Sequence, residues 1–251
     1  MITQKTRVAR AHEQVETPAD VRVADVSIVI PVYNEARILQ NLIEELQEHF
    51  DNYYFPYEIL ICENGSADAS KEIGGTLARA YDNVELLTLD QPSYGAAIRN
   101  GILHSSSEYV FIFNADLWCL NFFSSALKRL KSGTDLVIGS KLMPGSVDNR
   151  PFLRRGITRS FNALLRTCYG FTGSDTHGLK AMRRSRIVPI LEQCRTDREV
   201  FDTELVLRAQ RAGLGISEVP VTVLDRRAPR MSLLRRVPST IRDLVLIRKT
   251  L

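Results

Sequence analysis

The chain has 251 residues, 44% of them apolar and 25% charged, with a formal charge of +4. That length buries a sizeable core in one large or two small domains, and that composition excludes a disordered or fibrous chain. Four widely spaced cysteines, Cys62, Cys119, Cys168 and Cys194, with no C-x-x-C pair, exclude a zinc ribbon and predict buried free thiols in a reducing cytosol.

In chain order, residues 1–24 are polar with little periodicity and read as a disordered arm. They lack the apolar stretch of a signal peptide, and nowhere does the chain reach the ~18 apolar residues of a membrane span, so a cytoplasmic location is expected. Val26-Ser27-Ile28-Val29-Ile30 is a β-branched run ended by Pro31, a first strand. After "PVYNE", Ile38, Leu39, Leu42, Ile43 and Leu46 share one face of a helix, with Asn34 placed to cap it. Tyr57–Cys62 is a second strand. It runs into "ENGSADAS", where Ser66 and Asp68 are natural caps for the next helix. Val84–Thr88 predicts a third strand, and "QPSYGAAIRNG" leads into a helix near Ala96–His104. Tyr109–Phe113 reads as a buried strand stopped by Asn114-Ala115-Asp116, followed by a helix around Phe122–Leu130 and a strand at Asp135–Gly139.

Around residue 140 this alternation breaks down. Arg150, Arg154, Arg155, Arg159 and Arg166 interleave with Phe152, Leu153, Ile157, Phe161, Leu164 and Leu165. As a helix, this segment suits either a lipid surface or packing on the domain. A helix near Glu199–Ala212, a Gly213–Gly215 turn and a strand Ile216–Leu224 follow. The G-x-G of "AGLGISE" lies between helix and strand, the reverse of a dinucleotide fingerprint. Residues 223–251 carry eight Arg or Lys against Asp225 and Asp243, so the positive charge is local and points to an anionic partner at one place.

Strands alternating with helices imply a mostly parallel α/β sheet, whose carboxyl ends line one crevice. Four polar clusters fall just after successive strands: "PVYNE", "ENGSADAS", "YGAAIRNG" and "NADLW". Any one alone is ordinary turn chemistry; four on one edge suggest a nucleotide-sized site.

These pieces, with "VIGSK", "DTHGLKAMRR", "FDTELVLRAQRAGLGISEVPV" and "LDRRAPRMSL", resemble in the expected order the family 2 glycosyltransferases of GT-A fold, and within them the polyprenyl-phosphate hexosyltransferases. The likeness runs from about Val26 to at least Leu234. It implies a single GT-A domain over 25–225, with 226–251 as a basic C-terminal extension. It also implies inverting transfer of a hexose from a nucleoside diphosphate sugar of the GDP-mannose or UDP-glucose type. Asp116 matches the family's metal-binding aspartate and Asn114 the other position of that motif, with Ala115 between them, for Mg²⁺ or Mn²⁺. Pro31, Tyr33, Asn34 and Glu35 resemble the loop that cradles the nucleotide. Glu63 stands where an aspartate usually lies near base or ribose, Asp68 is further along that loop, and Arg99 is placed to reach the donor phosphates. Asn114 and Trp118 replace a usual aspartate and a frequent glutamine, so weaker metal affinity is expected, because an amide oxygen ligates without charge and an indole does not ligate.

A polyprenyl phosphate is already an anion and needs cations rather than a base, for which Lys141, Arg226 and Arg230 are the candidates. A glycan or small-molecule hydroxyl would need a base; Asp175 is favoured for an active-site role, and Asp202 and Glu204 read as an exposed helix start. The basic-apolar segment 150–166 and the basic C-terminus rank a polyprenyl phosphate first as acceptor and a hydroxyl on a glycan or small metabolite second, and they predict peripheral contact with the inner face of a membrane through 150–166 and 226–251, with no nucleic acid as partner. A non-catalytic nucleotide-sugar-binding or scaffold protein is the alternative of another class.

Overall fold

The computed structural model describes residues 25–51, 55–115, 118–149, 151–198, 200–223 and 233–251. The apolar runs pair as parallel strands. β1 (Val26–Val32) lies between β2 (Tyr57–Asn64) and β4 (Tyr109–Ile112), with β3 (Val84–Leu89) outside β2. β5 (Leu136–Ser140) does not pair with β4 directly. Between them runs β7 (Lys180–Arg183), antiparallel to both, and β8 (Ile216–Pro220) closes the edge parallel to β5. The order is β3-β2-β1-β4-β7-β5-β8, and a small sheet joins β6 (Val147–Asp148) to β9 (Thr222–Val223). Because β7 is antiparallel to both neighbours, β4 and β5 point the same way. The carboxyl ends of β1, β2, β4 and β5 therefore share one edge.

Strand side chains alternate between two cores. Ile28, Ile30, Ile59, Ile61, Phe111 and Val137 face one, covered by α1 (Leu39–Phe50), α2 (Ser70–Ala80) and α4 (Leu120–Lys131). Val29, Leu60, Cys62, Val110, Leu136 and Ile138 face the other, covered by α3 (Tyr94–His104), α5 (Phe152–Tyr169), α6 (Arg184–Leu191), α7 (Phe201–Arg211) and α8 (Leu233–Thr250). Gly101 lets α3 lie directly on β1 and β2, since a β-carbon there would meet Val29 Cγ1 at 2.4 Å and Cys62 Sγ at 2.7 Å.

Several expectations change. β7 is four residues long and ends in arginine, too short to display a period. The expected strand Ile216–Leu224 divides into β8 and β9, with Leu224 outside the described residues. Residues 233–250 form α8, which inserts Leu244 and Ile247 into the core, while Tyr169 Oη donates to Leu244 O at 2.9 Å. Cys62 and Cys194 are buried, and burial pushes both thiols up to about 12, but Cys168 is exposed and Cys119 half-buried. No helix among the described residues is long and apolar enough to cross a membrane.

Candidate functional site

The loops after β1 and β2 are tied to each other by side chains that the sequence suggested for other purposes. Asn34 has φ 55°, a left-handed conformation that asparagine tolerates better than most residues, and it does not cap α1, which begins at Leu39. Its Oδ1 accepts from the Ala67 amide at 2.8 Å, and its own amide donates to Ser66 Oγ at 2.9 Å. The Glu35 amide donates to Ser70 Oγ at 2.8 Å. Asp68 spans the two loops, accepting from the Ala36 amide at 3.1 Å and the Ser70 amide at 3.0 Å. Partial burial alone would raise its carboxyl, but the bonds from Ser70 and then Ala36 hold it below its usual value. Ser66 serves Asn34 rather than α2, and Asp68 is not the N-cap of α2, which is Ala69, although from two residues before the helix it accepts the amide of Ser70.

Pro31 is a ladder residue opposite Cys62, and Tyr33 is exposed beyond it. Glu63 is buried at the end of β2, where its Oε1 accepts from the Ser66 amide at 2.5 Å. Asn64, quoted within "ENGSADAS" but not singled out, receives the Ser93 amide at 2.5 Å and so joins the β2 loop to the start of α3. Asn114 is half-buried just past β4, and Ala115 is buried. Asp116, Arg150, Glu199, Arg226 and Arg230 lie outside the described residues. Among the described residues no group of three His, Cys, Asp or Glu is arranged to hold a metal. Trp118 has a packing role: it lies against the α1/α4 core, its ring 6.1 Å from that of His49.

Arg99 is engaged within the protein. Its guanidinium donates to Asp197 Oδ1 at 2.8 and 3.1 Å and to the carbonyls of Leu191 and Cys194, binding α3 to the segment between α6 and α7. The surface-like reading of Asp202 and Glu204 is also corrected. Both are buried: Glu204 accepts from Arg208 at 2.7 Å and from the Thr196 amide at 2.7 Å, and Asp202 Oδ1 faces Lys180 Nζ at 2.9 Å. Neither is placed to take a proton from solvent-borne substrate.

Asp175 and Lys141 are brought together. Asp175 is 0% exposed, and its Oδ2 lies 3.1 Å from Lys141 Nζ while its Oδ1 accepts from the His177 amide at 3.0 Å. Burial by itself would raise this carboxyl. The Lys141 ammonium and the His177 amide outweigh that and hold it below its usual value, so the group is an anion and a poor base at neutral pH. A lowered folded value means stability that is present above the unfolded value of about 3.9 and lost as pH falls through the folded one. Asp175→Asn is therefore expected to lower stability at pH 7 by about 3–5 kcal/mol, the cost of breaking a buried pair, and to flatten the acid limb below about pH 4. Thermal unfolding followed across that range checks both.

Lys141 also opens onto a cavity of about 390 Å³ that the sequence did not delineate, lined by Lys141, Leu142, Met143, Ser146, Asp148, Arg155, Arg159 and Arg166. Four cations there face one carboxylate. The three arginines come from one side of α5, at helical spacing, while Asn162, Leu165 and Tyr169 pack that helix on the core. Arg155 lies over the Phe152 ring at 5.7 Å, and among the described residues its buried Nε has no hydrogen-bond partner. Leu153 and Phe152, at 72% and 77% exposure, project from the rest of the helix into solvent. Packing on the domain thus holds for the face of Asn162, Leu165 and Tyr169.

Comparison with known proteins accords with this architecture. The family model described as Glycosyl transferase family 2 matches residues 27–189. A glycosyltransferase of Haloferax volcanii is 28% identical over 222 residues, covering 85% of this chain and 35% of its own. A dolichyl-phosphate beta-glucosyltransferase of Trichomonas vaginalis is 31% identical over 211 residues, covering 78% of this chain and 64% of its own. The chain thus spans from about a third to just under two thirds of the curated relatives it matches. Among solved structures, glucosyl-3-phosphoglycerate synthase of Mycobacterium tuberculosis, in complex with Mn²⁺, UDP-glucose and phosphoglyceric acid, superposes with a TM-score of 0.69 at 18% identity, over 90% of this chain and 80% of its own. With the strand-edge loops, the sheet order and a family match over most of its length, the chain belongs to the family 2 glycosyltransferases and has their GT-A fold.

Proposed function

We propose that the protein transfers a hexose, with inversion, from a nucleoside diphosphate sugar of the GDP-mannose or UDP-glucose type to a polyprenyl phosphate. The observation that carries the acceptor is the cavity of Lys141, Arg155, Arg159 and Arg166 at the same sheet edge as Asn114. A phosphate monoester is anionic at neutral pH, so one of its oxygens attacks C1 of the sugar directly. The new C1–O bond forms as the bond from C1 to the diphosphate breaks, and the nucleoside diphosphate leaves with the electron pair. The chain's residues then need only hold one anion close to another, which arginines do by charge-assisted, often bidentate hydrogen bonds. The dolichyl-phosphate glucosyltransferase relative supports this acceptor, and the mycobacterial synthase supports a nucleotide-sugar donor.

On the donor side Pro31, Tyr33, Asn34, Glu35, Glu63 and Asp68 frame the nucleotide, Asn34 and Asp68 by fixing the two loops to each other. Mg²⁺ or Mn²⁺ fits the oxygen donors available, the Asn114 amide and the Asp116 carboxylate, and would offset charge on the departing diphosphate. Arg226 and Arg230 remain assigned to the acceptor phosphate. A hydroxyl acceptor is less well served, because Asp175, the carboxylate proposed to activate it, is buried and paired with Lys141. The exposed apolar residues of α5 beside its arginines support contact with a lipid surface, where such an acceptor resides.

The test supplies radiolabelled GDP-mannose or UDP-glucose with Mg²⁺ or Mn²⁺ and a polyprenyl phosphate presented in anionic vesicles. Metal-dependent appearance of label in the lipid phase, together with protein pelleting on the vesicles, is expected. Transfer only to a soluble hydroxyl acceptor would overturn the reading, and donor binding with no transfer to any acceptor would favour the scaffold alternative.

A further inference from the structure

The turn Asp175-Thr176-His177-Gly178 is gripped from two sides by lysines of different strands. Lys141, just after β5, reaches Asp175 Oδ2 at 3.1 Å and the His177 carbonyl at 2.6 Å. Lys180, the first residue of β7, donates to the Gly178 carbonyl at 3.1 Å and faces Asp202 Oδ1 of α7 at 2.9 Å, both side chains nearly devoid of solvent. The Lys180–Asp202 contact is an ion pair without an aligned hydrogen bond. The other oxygen of Asp202 accepts from Tyr94 Oη at 3.2 Å, and Thr176 Oγ1 meets Thr203 Oγ1 of α7 at 3.0 Å. Tyr94 opens α3 directly after Ser93, whose amide is held by Asn64 at the end of β2. A buried chain of polar contacts thus leads from the donor-side loop, through Tyr94, Asp202 and Lys180, to the turn that holds Lys141 at the wall of the basic cavity.

We infer that Lys180 and Asp202 are positioning residues: their buried pair sets the 175–178 turn, and through it Lys141 and Asp175, at a fixed distance from the donor-side loop. A buried ion pair is a weak source of stability, because desolvating both charges offsets most of their attraction, and well-packed apolar replacements of similar size are often neutral or stabilising. A pair kept there contributes geometry, and geometry is what a reaction between two bound anions requires. Displacement of a substrate-holding group by as little as 1 Å lowers rate by roughly 100-fold. Asp202 at the second residue of α7 also suits the helix dipole, which would be a purely structural role, and the test separates the two.

This inference rests on the acceptor reading only for what the turn positions; the order of the turn itself is measured independently. The full chain carrying Lys180→Met together with Asp202→Leu is compared with wild type by thermal unfolding, by amide hydrogen exchange and by kinetics. An unchanged or raised Tm is expected, with exchange at His177 and Gly178 faster by at least about tenfold and the sheet amides unaffected. With lipid phosphate as acceptor, kcat/KM is expected to fall roughly 10- to 100-fold, carried by acceptor KM and kcat, with donor KM unchanged. Wild-type exchange rates in the turn would overturn the inference. So would a variant that is uniformly destabilised or fails to fold, since the pair would then serve stability alone. Absence of lipid-phosphate transfer by the wild-type chain overturns the proposed function instead, and the exchange comparison still decides the positioning role.

Discussion

Reversing two charges in the cavity, Arg155→Glu with Arg159→Glu, is expected to lower kcat/KM for a polyprenyl phosphate by 10²–10³-fold or more while leaving nucleotide binding within about twofold. Each arginine lost removes a charge-assisted hydrogen bond of about 1.5–3 kcal/mol, so two remove about 3–6 kcal/mol before any repulsion from the new carboxylates is counted. The cavity would change from four cations and one carboxylate to two cations and three carboxylates. Arg159 is exposed, but Arg155 is half-buried on the same side of α5 as the packed Asn162, seven residues on, so circular dichroism and Tm check that the fold survives. Steady-state kinetics with varied acceptor, and titration with UDP or GDP, separate the two sites. The residual activity should also lose its sensitivity to salt, because the screened attraction is gone. Equal loss of donor and acceptor binding would show that the cavity belongs to the donor instead.

Gly178→Ala is expected to be the most damaging single methyl in the molecule. A β-carbon there would lie 1.8 Å from the carbonyl oxygen of Gly139 and 2.9 Å from its carbonyl carbon. That neighbour is backbone of β5, whose Gly139 amide is bonded to Leu179 O at 2.8 Å, so no flexible side chain can swing aside. Relief requires pulling β7 from β5, which breaks the ladder at the turn that carries Asp175. Overpacking costs about 1–3 kcal/mol and occasionally more, and about 3 kcal/mol in a chain of this size lowers Tm by about 10 °C. Gly156→Ala is the matched control. A β-carbon there meets nothing within 4 Å, and the position is inside α5, so the exchange should stabilise by about 0.5–1 kcal/mol. Differential scanning calorimetry of the two variants reads opposite shifts.

Much of the donor side was legible in residues 26–115, for a physical reason. A strand buried on both faces must be apolar throughout, so its end is marked by the first polar residue, and Asn34, Glu63 and Asn114 stand at such marks. Their placement on one edge follows from the handedness of the crossover connections. What each side chain does there was less legible. Asn34 and Asp68 bond between two loops that are about 30 residues apart in sequence, as the Ala67–Asn34 and Ala36–Asp68 contacts show. Arg99 sits in a helix beside a phosphate-suggestive turn, yet it faces the chain almost a hundred residues later.

From the sequence by itself came the alternation of buried strands and amphipathic helices, the polar strand ends and the family they belong to, because each is written in neighbouring residues and local periods of two or about 3.6. Only the tertiary structure decided that β7 inserts antiparallel between β4 and β5, that Trp118 packs on His49, that Asp202 is buried against Lys180, and that three arginines of α5 meet Lys141 around one cavity. Those outcomes depend on which distant segments share a boundary. The burial of a charge, or the field inside a cavity, has no value until its neighbours across the fold are in place.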